Sequence, residues 1–317
     1  MPKMTKLFLM LLLATLMISA QDKKYVAVTF DDMPFAHQSM CDAPQQLELV
    51  KKIVSYLEEY NIPAIGFVNE GKMFDKEGKI DSAKLDILKM WLDAGLELGN
   101  HTYSHHDVNK VPFEEYTQDI LKGEQVTRPL AEERGIEYKY FRHPYLRSGA
   151  TQEARIALEE FLKENNYKVA PVTIDNSEWV YAYGYNMAYN DKDTVMMIKI
   201  GTEYVDYMIG KIKYWEDQSQ KLFGRNIKQV LLIHSNLLNS EYFDELAKAM
   251  QDYGYNYISL DEVLEDPAYQ SENTYVGTYG PSWIHRWAKT KGVDKSFYEG
   301  EPHVPQHMMD YTGLDFE

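Results

Sequence analysis

The amino-acid sequence predicts an α/β fold: a distorted (β/α) barrel of about seven parallel strands with surrounding helices and an irregular C-terminal tail. Short apolar runs typical of buried strands alternate with helix-period stretches between residues 25 and 264. Strands that alternate with helices pair in parallel through right-handed crossovers. Seven such strands favour a barrel of (β/α) units, with an open sheet as the alternative. Beyond residue 266 the periodicity ends, which predicts the tail.

The predicted strands are rich in β-branched and aromatic residues and have polar flanks. They span residues 25–30, 63–68, 96–100, 138–141, 169–174, 230–233 and 257–260. The predicted helices carry apolar residues at the spacing of one buried face. They span residues 42–60, 82–94, 112–134, 151–165, 193–223 and 241–253, with a last turn at 261–264. The Tyr-rich stretch 180–190 is predicted as a loop beside a cleft, and Gly201 and Gly210 are candidate breaks in the long helix.

The first twenty residues have the pattern of a secretory signal peptide. Lys3 and Lys6 precede an apolar run from Leu7 to Ile18, and small residues around Ala20 mark a cleavage site. This run is shorter than the roughly 20 residues that span a bilayer, which disfavours the alternative of an uncleaved anchor. We therefore expect a periplasmic or secreted protein with no stable membrane span after cleavage.

The composition excludes some partners. The formal net charge is −16, and loss of the two leader lysines would make it more negative, so the chain should repel nucleic acid and anionic membranes. The only cysteine, Cys41, can form no internal disulfide and lies too far from the cleavage site to carry a lipid. We divide the chain into a signal peptide at 1–20, a barrel domain at 21–265 and an extension at 266–317 that packs on the domain through aromatic residues. The oligomeric state stays open.

Ionisable residues follow five of the predicted strands. In a parallel (β/α) fold such residues gather at one end of the sheet, where functional sites lie. The strand ends read Asp31 with Asp32, His101 with His105, Arg142, Asp175 with Trp179, and His234. The adjacent carboxylates of Asp31 and Asp32 repel each other unless a cation lies beside them, and a metal ion would supply that charge. A solvated Asp-Asp turn is the alternative.

The pair His101-x-x-x-His105 strengthens the metal interpretation. This spacing places two imidazoles one helical turn apart, where both can meet one ion. Two histidines and one carboxylate form an open catalytic metal site rather than a closed structural one. Two unrelated surface histidines are the alternative, which the neighbouring Asp31-Asp32 pair disfavours.

The ordered motifs resemble the polysaccharide deacetylase family, also called carbohydrate esterase family four, with its chitooligosaccharide deacetylase domain. The motifs are Thr-Phe-Asp-Asp, His-x-x-x-His, Arg-x-Pro-Tyr, Asp-x-x-x-Trp and Leu-x-His, and the likeness spans residues 25–264. The resemblance implies a distorted (β/α) barrel that binds a divalent metal and hydrolyses acetyl groups on sugars. Zn²⁺ is the usual metal of the family, with Co²⁺ or Ni²⁺ as alternatives.

The resemblance also implies roles for individual residues. Asp32, His101 and His105 become the metal ligands. Asp31 becomes the general base, which takes a proton from water, and Arg142 becomes the cation that keeps this base ionised and oriented. A metal-activated water between such a base and an acid on the far side of the carbonyl is a complete machinery for acyl hydrolysis.

On the other side of the carbonyl, the resemblance makes His234 the general acid and gives Asp175 the task of pairing with it. Trp179 and Leu232 would form the walls of the acetyl pocket. The backbone N–H of Tyr145 would face the developing oxyanion, where such a donor is worth roughly 3 kcal/mol. Arg142 as a structural salt-bridge partner and His234 as a buried histidine bonded to a carbonyl are the alternatives.

The chain departs from the family pattern at three positions. Met33 stands where a glycine is usual, so the turn after the aspartates could narrow the cleft. His143 replaces a common proline and could add a polar contact near the metal. Glu178 replaces the second aspartate before the tryptophan and has a longer reach. The Tyr-rich stretch 181–189 and the tail have no counterpart in the family.

The expected function is removal of N-acetyl groups from an acetylated polysaccharide or oligosaccharide, such as peptidoglycan or a poly-N-acetylglucosamine-like chain. An O-acetyl esterase acting on xylan-like glycans would use the same machinery. A catalytically idle glycan-binding module is an alternative from another class. The presence of Asp31, Arg142 and His234 beside the metal ligands disfavours it, because binding alone needs no proton-transfer pair. A small-molecule amidohydrolase would need a closed, deep pocket.

Overall fold

The computed structural model of the protein describes residues 23–37 and 39–315. The leader expected at residues 1–20 lies outside the described residues. Within the described ranges, no helix combines the length and the apolar character needed to cross a membrane.

Seven parallel strands form one curled sheet, as the sequence predicts. The strands are β1 (Lys24–Met33), β2 (Ile65–Val68), β3 (Glu97–Asn100), β4 (Tyr140–Phe141), β5 (Lys168–Val169), β6 (Gln229–His234) and β7 (Tyr255–Tyr257). The order across the sheet is β5-β4-β3-β2-β1-β6, and β7 pairs with the start of β1. A parallel bridge between Ile174 and Leu231 brings the chain after β5 against β6, which links the two ends of the sheet. The prediction of a distorted (β/α) barrel is confirmed.

Eleven α-helices within the described residues surround the sheet. They are α1 (Ala43–Glu59), α2 (Ser82–Asp93), α3 (Phe113–Lys122), α4 (Thr127–Glu132), α5 (Gln152–Glu164), α6 (Glu178–Asn190), α7 (Thr194–Phe223), α8 (Leu237–Asp252), α9 (Leu260–Leu264), α10 (Trp283–Thr290) and α11 (Gln306–Thr312). Short 3-10 helices occur at Glu70–Met73, Pro144–Leu146, Pro267–Gln270 and Lys295–Tyr298.

Strand β1 is the centre of the sheet and of the core. It pairs with β2 on one side and β6 on the other, and the register places Asp31 opposite His234. Phe30 is fully buried and meets Trp91 and Phe243 edge to face, with ring centroids 5.4 Å apart in both pairs. Because one register fixes all side chains of a strand, this packing also fixes where Asp31 points.

Several predicted elements differ in the structure, among them the last strand, β7, which lies at 255–257 rather than at 257–260. The stretch 180–190 is not a loop but the helix α6, and it is buried on most sides, so its sequence lacks the one-sided pattern of a surface helix. The predicted helix 112–134 is split into α3 and α4. Between them, a side chain on Gly123 would lie 2.6 Å from the backbone of Thr102, so a glycine is needed for this close approach.

The helix α7 runs without a break through both candidate glycines. A Cβ atom on Gly201 would lie only 2.0 Å from the ring of Tyr242, so this glycine serves close packing against α8 rather than ending a helix. The helix α8 begins four residues earlier than predicted, because the side chain of Asn236 caps it by accepting from the N–H of Asn239. The fifth strand is shorter than predicted, and Pro171 has no N–H to extend its pairing.

The C-terminal extension contains two α-helices and joins the core of the barrel. Trp283 and Trp287 are buried, and the backbone N–H of Trp283 donates to the carbonyl of Val172. The buried Arg286 donates to the carbonyl of Leu146 and to the hydroxyl of Ser148. The extension therefore supports the chain segment after β4, next to Tyr145.

We predict that Trp287→Ala lowers the free energy of unfolding by about 3–5 kcal/mol, the usual loss when a large aromatic side chain is removed from a packed core. Urea denaturation followed by tryptophan fluorescence measures it. Tyr279→Ala, which removes a ring that is 75% exposed in the same extension, is the control and should change the free energy by less than about 0.5 kcal/mol. Equal effects of the two substitutions would show that the extension does not share the core.

Candidate active site

Three predicted metal ligands meet at the carboxyl ends of β1 and β3. Asp32, His101 and His105 each offer one ligand atom, and these atoms lie within 4.8 Å of one another. Asp32 Oδ1 lies 3.7 Å from His105 Nε2 and 4.0 Å from His101 Nε2. One carboxylate and two imidazoles at this spacing are a suitable donor set for a divalent ion, with coordination positions left for water and substrate.

The loop that carries the two histidines is not helical, which corrects the prediction of a one-turn spacing. Thr102 and His105 have positive φ values of 65° and 57°, so the chain folds back on itself. Side chains hold this path: the N–H of Thr102 donates to Asn100 Oδ1 (2.7 Å), and the N–H of His105 donates to Thr102 Oγ1 (2.9 Å). The imidazole centroids of His101 and His105 are 4.8 Å apart.

Hydrogen bonding fixes which nitrogen of His101 is free to bind a metal. Its Nδ1 lies 2.8 Å from the backbone carbonyl of Arg142, which can only accept, so Nδ1 carries the proton. The lone pair of Nε2 then faces the carboxylate of Asp32. Burial and the neighbouring His105 hold the pKa of His101 well below its usual value, so the ring is neutral, as a ligand must be.

The two adjacent aspartates have different surroundings. Burial raises the pKa of Asp31 to about 6, against the opposing charge of Arg142. Burial acts in the same direction on Asp32, but Lys72 and His105 outweigh it and hold the pKa of Asp32 well below its usual range. Lys72 Nζ lies 3.1 Å from Asp32 Oδ1.

Arg142 lies where the sequence predicts, against Asp31. Its Nη1 donates to Asp31 Oδ2 at 3.3 Å and lies 3.2 Å from Oδ1. The rest of the guanidinium is held by the hydroxyl of Thr29 (3.0 Å) and the carbonyl of Ala170 (3.0 Å). Arg142 is fully buried, so it is a fixed positive charge that orients the carboxylate of Asp31.

The partner of His234 is Glu178, not Asp175, and this corrects the pairing that the sequence suggested. His234 Nδ1 lies 2.8 Å from Glu178 Oε2. The other oxygen of this fully buried carboxylate accepts from the side-chain amides of Asn236 (2.5 Å) and Asn239 (2.7 Å). Although burial opposes it, Glu178 raises the pKa of His234 to about 9, so the ring is protonated at neutral pH.

Asp175 lies before α6 and lines the same cavity as His234. Its Oδ1 accepts from the N–H of Asn176 (2.9 Å), and its backbone carbonyl accepts from the indole of Trp215 (2.8 Å). Burial raises the pKa of Asp175 to about 6, against the attraction of Lys211. Because α6 begins at Glu178, the longer side chain reaches His234 from the first turn of the helix.

A cavity of about 420 Å³ lies over these groups. Arg142 lies behind Asp31, and the other residues assigned from the sequence line the cavity: Asp31, Asp32, His101, His105, Tyr145, Asp175, Trp179, Leu232 and His234. The ring of Tyr145 packs edge-on against His105, with centroids 4.6 Å apart.

Two of the three departures have structural consequences other than those predicted. Met33 is fully buried under Gly66 and does not line the cavity, so it does not narrow the cleft. His143 is not among the residues that line the cavity, and its ring packs on Phe141 and Trp283. Burial, together with Arg286, lowers its pKa to about 3.

Sequence reasoning missed Gly280 of the extension, which lies against the carbonyl of Tyr145 and lines the cavity. It also missed Lys72 and the asparagines behind Glu178. The signal for Glu178 was present, since it precedes Trp179 where a carboxylate is usual. Residues such as Gly280 and Lys72 come from segments without a recognisable motif, and their positions follow only from the fold.

We predict that Glu178→Gln lowers the pKa of His234 from about 9 towards its ordinary value of about 6.5, because the neutral amide no longer stabilises the imidazolium. The change is measured by following the NMR shifts of the His234 ring against pH. Asp175→Asn is the matched control and should change this pKa far less, since the hydrogen bond from His234 goes to Glu178. A larger change in the pKa of His234 in the Asp175 variant than in the Glu178 variant would instead support the pairing of His234 with Asp175.

The family model described as polysaccharide deacetylase matches residues 19–164 of the chain. The chain is 30% identical over 158 residues to a peptidoglycan-N-acetylglucosamine deacetylase of Bacillus cereus, which covers 50% of this chain and 47% of that protein. It is 29% identical over 121 residues to a chitin deacetylase of Colletotrichum lindemuthianum, which covers 38% of this chain and 42% of that protein. The chain thus spans less than half the length of these two curated relatives.

Among solved structures, a mutant of a CE4 family pseudoenzyme from Bacillus anthracis is similar to this chain, with a TM-score of 0.50 and 17% identity. The similarity covers 77% of this chain and 68% of that one. It concerns the fold alone and agrees with the curled parallel sheet.

Proposed function

Because the chain belongs to the polysaccharide deacetylase family, we propose that it is a metal-dependent hydrolase that removes acetyl groups from the N-acetylated sugars of a polysaccharide or oligosaccharide. Peptidoglycan and poly-N-acetylglucosamine-like chains are the substrate classes. The observation that supports this most is one cavity lined by a metal-type donor set, a buried carboxylate and a protonated histidine. A glycan-binding module would need no such proton-transfer pair.

In this proposal Asp32, His101 and His105 hold a divalent ion, with Zn²⁺ as the first candidate and Co²⁺ or Ni²⁺ as alternatives. The ion would polarise the acetyl carbonyl and lower the pKa of a water molecule towards ~7. Asp31 accepts the proton of this water as the water oxygen adds to the carbonyl carbon. Arg142 keeps the carboxylate of Asp31 in the orientation that this transfer needs.

His234 completes the reaction on the other side of the carbonyl. When the carbon–nitrogen bond breaks, the sugar nitrogen takes the proton of the His234 imidazolium, and the products are acetate and the amino sugar. A general acid must be protonated before the step, and the pKa of about 9 that Glu178 gives His234 meets this condition. Trp179 and Leu232 enclose the acetyl methyl group, and the backbone N–H of Tyr145 donates a hydrogen bond to the developing oxyanion.

We also propose export of the protein, since its substrates lie outside the cytoplasm and the leader pattern at residues 1–20 fits a signal peptide.

We predict that Zn²⁺-loaded protein releases acetate from acetylated chito-oligosaccharides, and that Asp31→Asn lowers kcat/KM by about 10²–10⁴-fold, the usual worth of a general base. A coupled acetate assay measures the rate, and removal of the metal with a chelator should abolish it until Zn²⁺ is added back. Asp86→Asn on the exposed face of α2 is the control and should keep full activity. Glycan binding without acetate release from N-acetylated or O-acetylated substrates would favour the idle binding module.

We predict that His234→Ala reduces turnover of N-acetyl substrates at least tenfold more than turnover of 4-nitrophenyl acetate. An amine leaving group needs a proton as the bond breaks, whereas 4-nitrophenolate leaves without one. The two rates are measured side by side on the same preparation. His307→Ala removes an exposed histidine that pairs with Glu203 and should affect neither rate. Equal losses on both substrates would argue against His234 as the acid.

A further inference from the structure

A second cleft, of about 520 Å³, lies beside the catalytic cavity. One wall is the helix α6, which contributes Tyr183, Asn186 and Met187. The opposite wall contains His37, from the segment after β1, and Lys72, from the 3-10 helix after β2. The proposed acetyl chemistry involves Lys72 only through its ion pair with Asp32, and it uses none of the other four residues.

The catalytic cavity and the second cleft both border one face of α6. Trp179 lines the cavity, and Tyr183, Met187 and Asn190 follow it at intervals of four, four and three residues, which is the spacing of one helix face. From Trp179 to Asn190 this face extends over ~16 Å. Lys72 connects the two spaces from the other side, because its Nζ reaches Asp32 at 3.1 Å.

Two buried polar atoms of the cleft have no hydrogen-bond partner within the described part of the chain: Asn186 Oδ1 and His37 Nε2. Asn186 is only 4% exposed, so its carbonyl oxygen has lost water without gaining a donor. Such a group costs free energy unless a ligand supplies the missing bond. The hydroxyl groups of a sugar are donors that would satisfy an acceptor of this kind.

The charge of the cleft is opposite to that of the whole protein. The net charge of the chain is −16, yet the described residues that line the cleft include one lysine and no carboxylate. The position of Lys72 is built into the fold. The neighbouring buried Glu70 accepts from the N–H groups of Val126 and Thr127 (2.9 Å each) and so anchors the short helix that carries Lys72.

We propose that this cleft binds the sugar next to the acetylated unit and selects one that carries a carboxylate group. Tyr183, which is 42% exposed, stacks on the pyranose ring, and Lys72 pairs with the carboxylate of the sugar. The side chains of Asn186 and His37 turn towards the cleft, so that their orphaned atoms bond the sugar hydroxyls. A divalent ion bound to Asp32 would weaken the attraction between the Asp32 carboxylate and Lys72, which leaves Lys72 available to the sugar carboxylate. The ion would also add positive charge beside the cleft. The inference rests on the proposed deacetylase function and names its substrate class.

A sugar carboxylate can come from a lactyl ether, as in peptidoglycan strands, or from a uronic acid. The test therefore compares three N-acetylglucosamine-containing oligomers of equal length: one without acid groups, one that alternates with N-acetylmuramic acid free of peptide, and one that alternates with glucuronic acid. The selectivity is the ratio of kcat/KM for an acidic oligomer to kcat/KM for the neutral one. Because each variant is compared with itself, a general effect on metal binding or rate cancels in this ratio.

We predict that the Zn²⁺-loaded protein prefers at least one acidic oligomer by about tenfold or more, the usual worth of a charge-assisted hydrogen bond. Lys72→Met should remove this preference, and Lys72→Arg should retain it. Lys199→Met, which removes an exposed lysine on α7, is the matched control and should leave the ratio unchanged. Tyr183→Ala should raise KM for all three oligomers, since the ring stacks on any pyranose.

Equal kcat/KM for the three oligomers, or a preference that survives Lys72→Met, would overturn the inference while leaving the deacetylase function intact. If no oligomer releases acetate, the proposed function fails and the cleft is judged by binding alone. Calorimetry with metal-loaded Asp31→Asn protein then measures the affinity for the same oligomers. Tighter binding of an acidic oligomer, lost in the double variant with Lys72→Met, would support the cleft, and equal or no binding would overturn it.

Discussion

The site depends on two adjacent carboxylates that are enclosed at the end of the central strand. Asp31 and Asp32 follow each other at the end of β1, and two like charges at this distance would not both stay ionised without compensation. The fold separates their environments: Arg142 is fixed against Asp31, while Lys72, His101 and His105 surround Asp32. Neighbouring groups with pKa values shifted apart can serve different roles, and this difference supports the proposal of one metal ligand and one base in consecutive positions.

The helix α6 links the proposed acid His234, the wall of the catalytic cavity and the second cleft. Its first residue, Glu178, holds His234, its second, Trp179, lines the catalytic cavity, and Tyr183 opens the cleft one turn later. A helix is stiff, so these three contacts cannot be adjusted independently. Asn236, which caps α8, and Asn239 in its first turn hold the carboxylate of Glu178 from behind. The position of His234 therefore depends on the packing of α6 against α8.

Periodicity predicts the barrel and the end of the sheet at which the site lies, because both depend on the hydrophobic pattern of the strands. The prediction that Asp31, Asp32, His101, His105 and His234 lie at the same end of the sheet agrees with the structure, where they line one cavity. Periodicity could not predict that Glu178 rather than Asp175 reaches His234, since this depends on where α6 begins, and a helix buried on most sides has no one-sided pattern. The backbone path between His101 and His105 could not be predicted either. Thr102 and His105 are non-glycine residues with positive φ, and the side-chain contacts that stabilise them cannot be recognised in the sequence.

The range that the family model matches contains only one part of the site. The metal-type donor set, Asp31 and Arg142 all lie within residues 19–164, where the family model matches. Glu178, Trp179 and His234 follow that range, as do the cleft wall of α6 and Gly280 of the extension. Activation of water depends on charges close to the reacting carbonyl and tolerates little change, whereas the walls only have to fit the glycan. Differences in substrate among related chains should therefore lie in the walls, which is why the second cleft, rather than the metal ligands, is the place to look for the specificity of this protein.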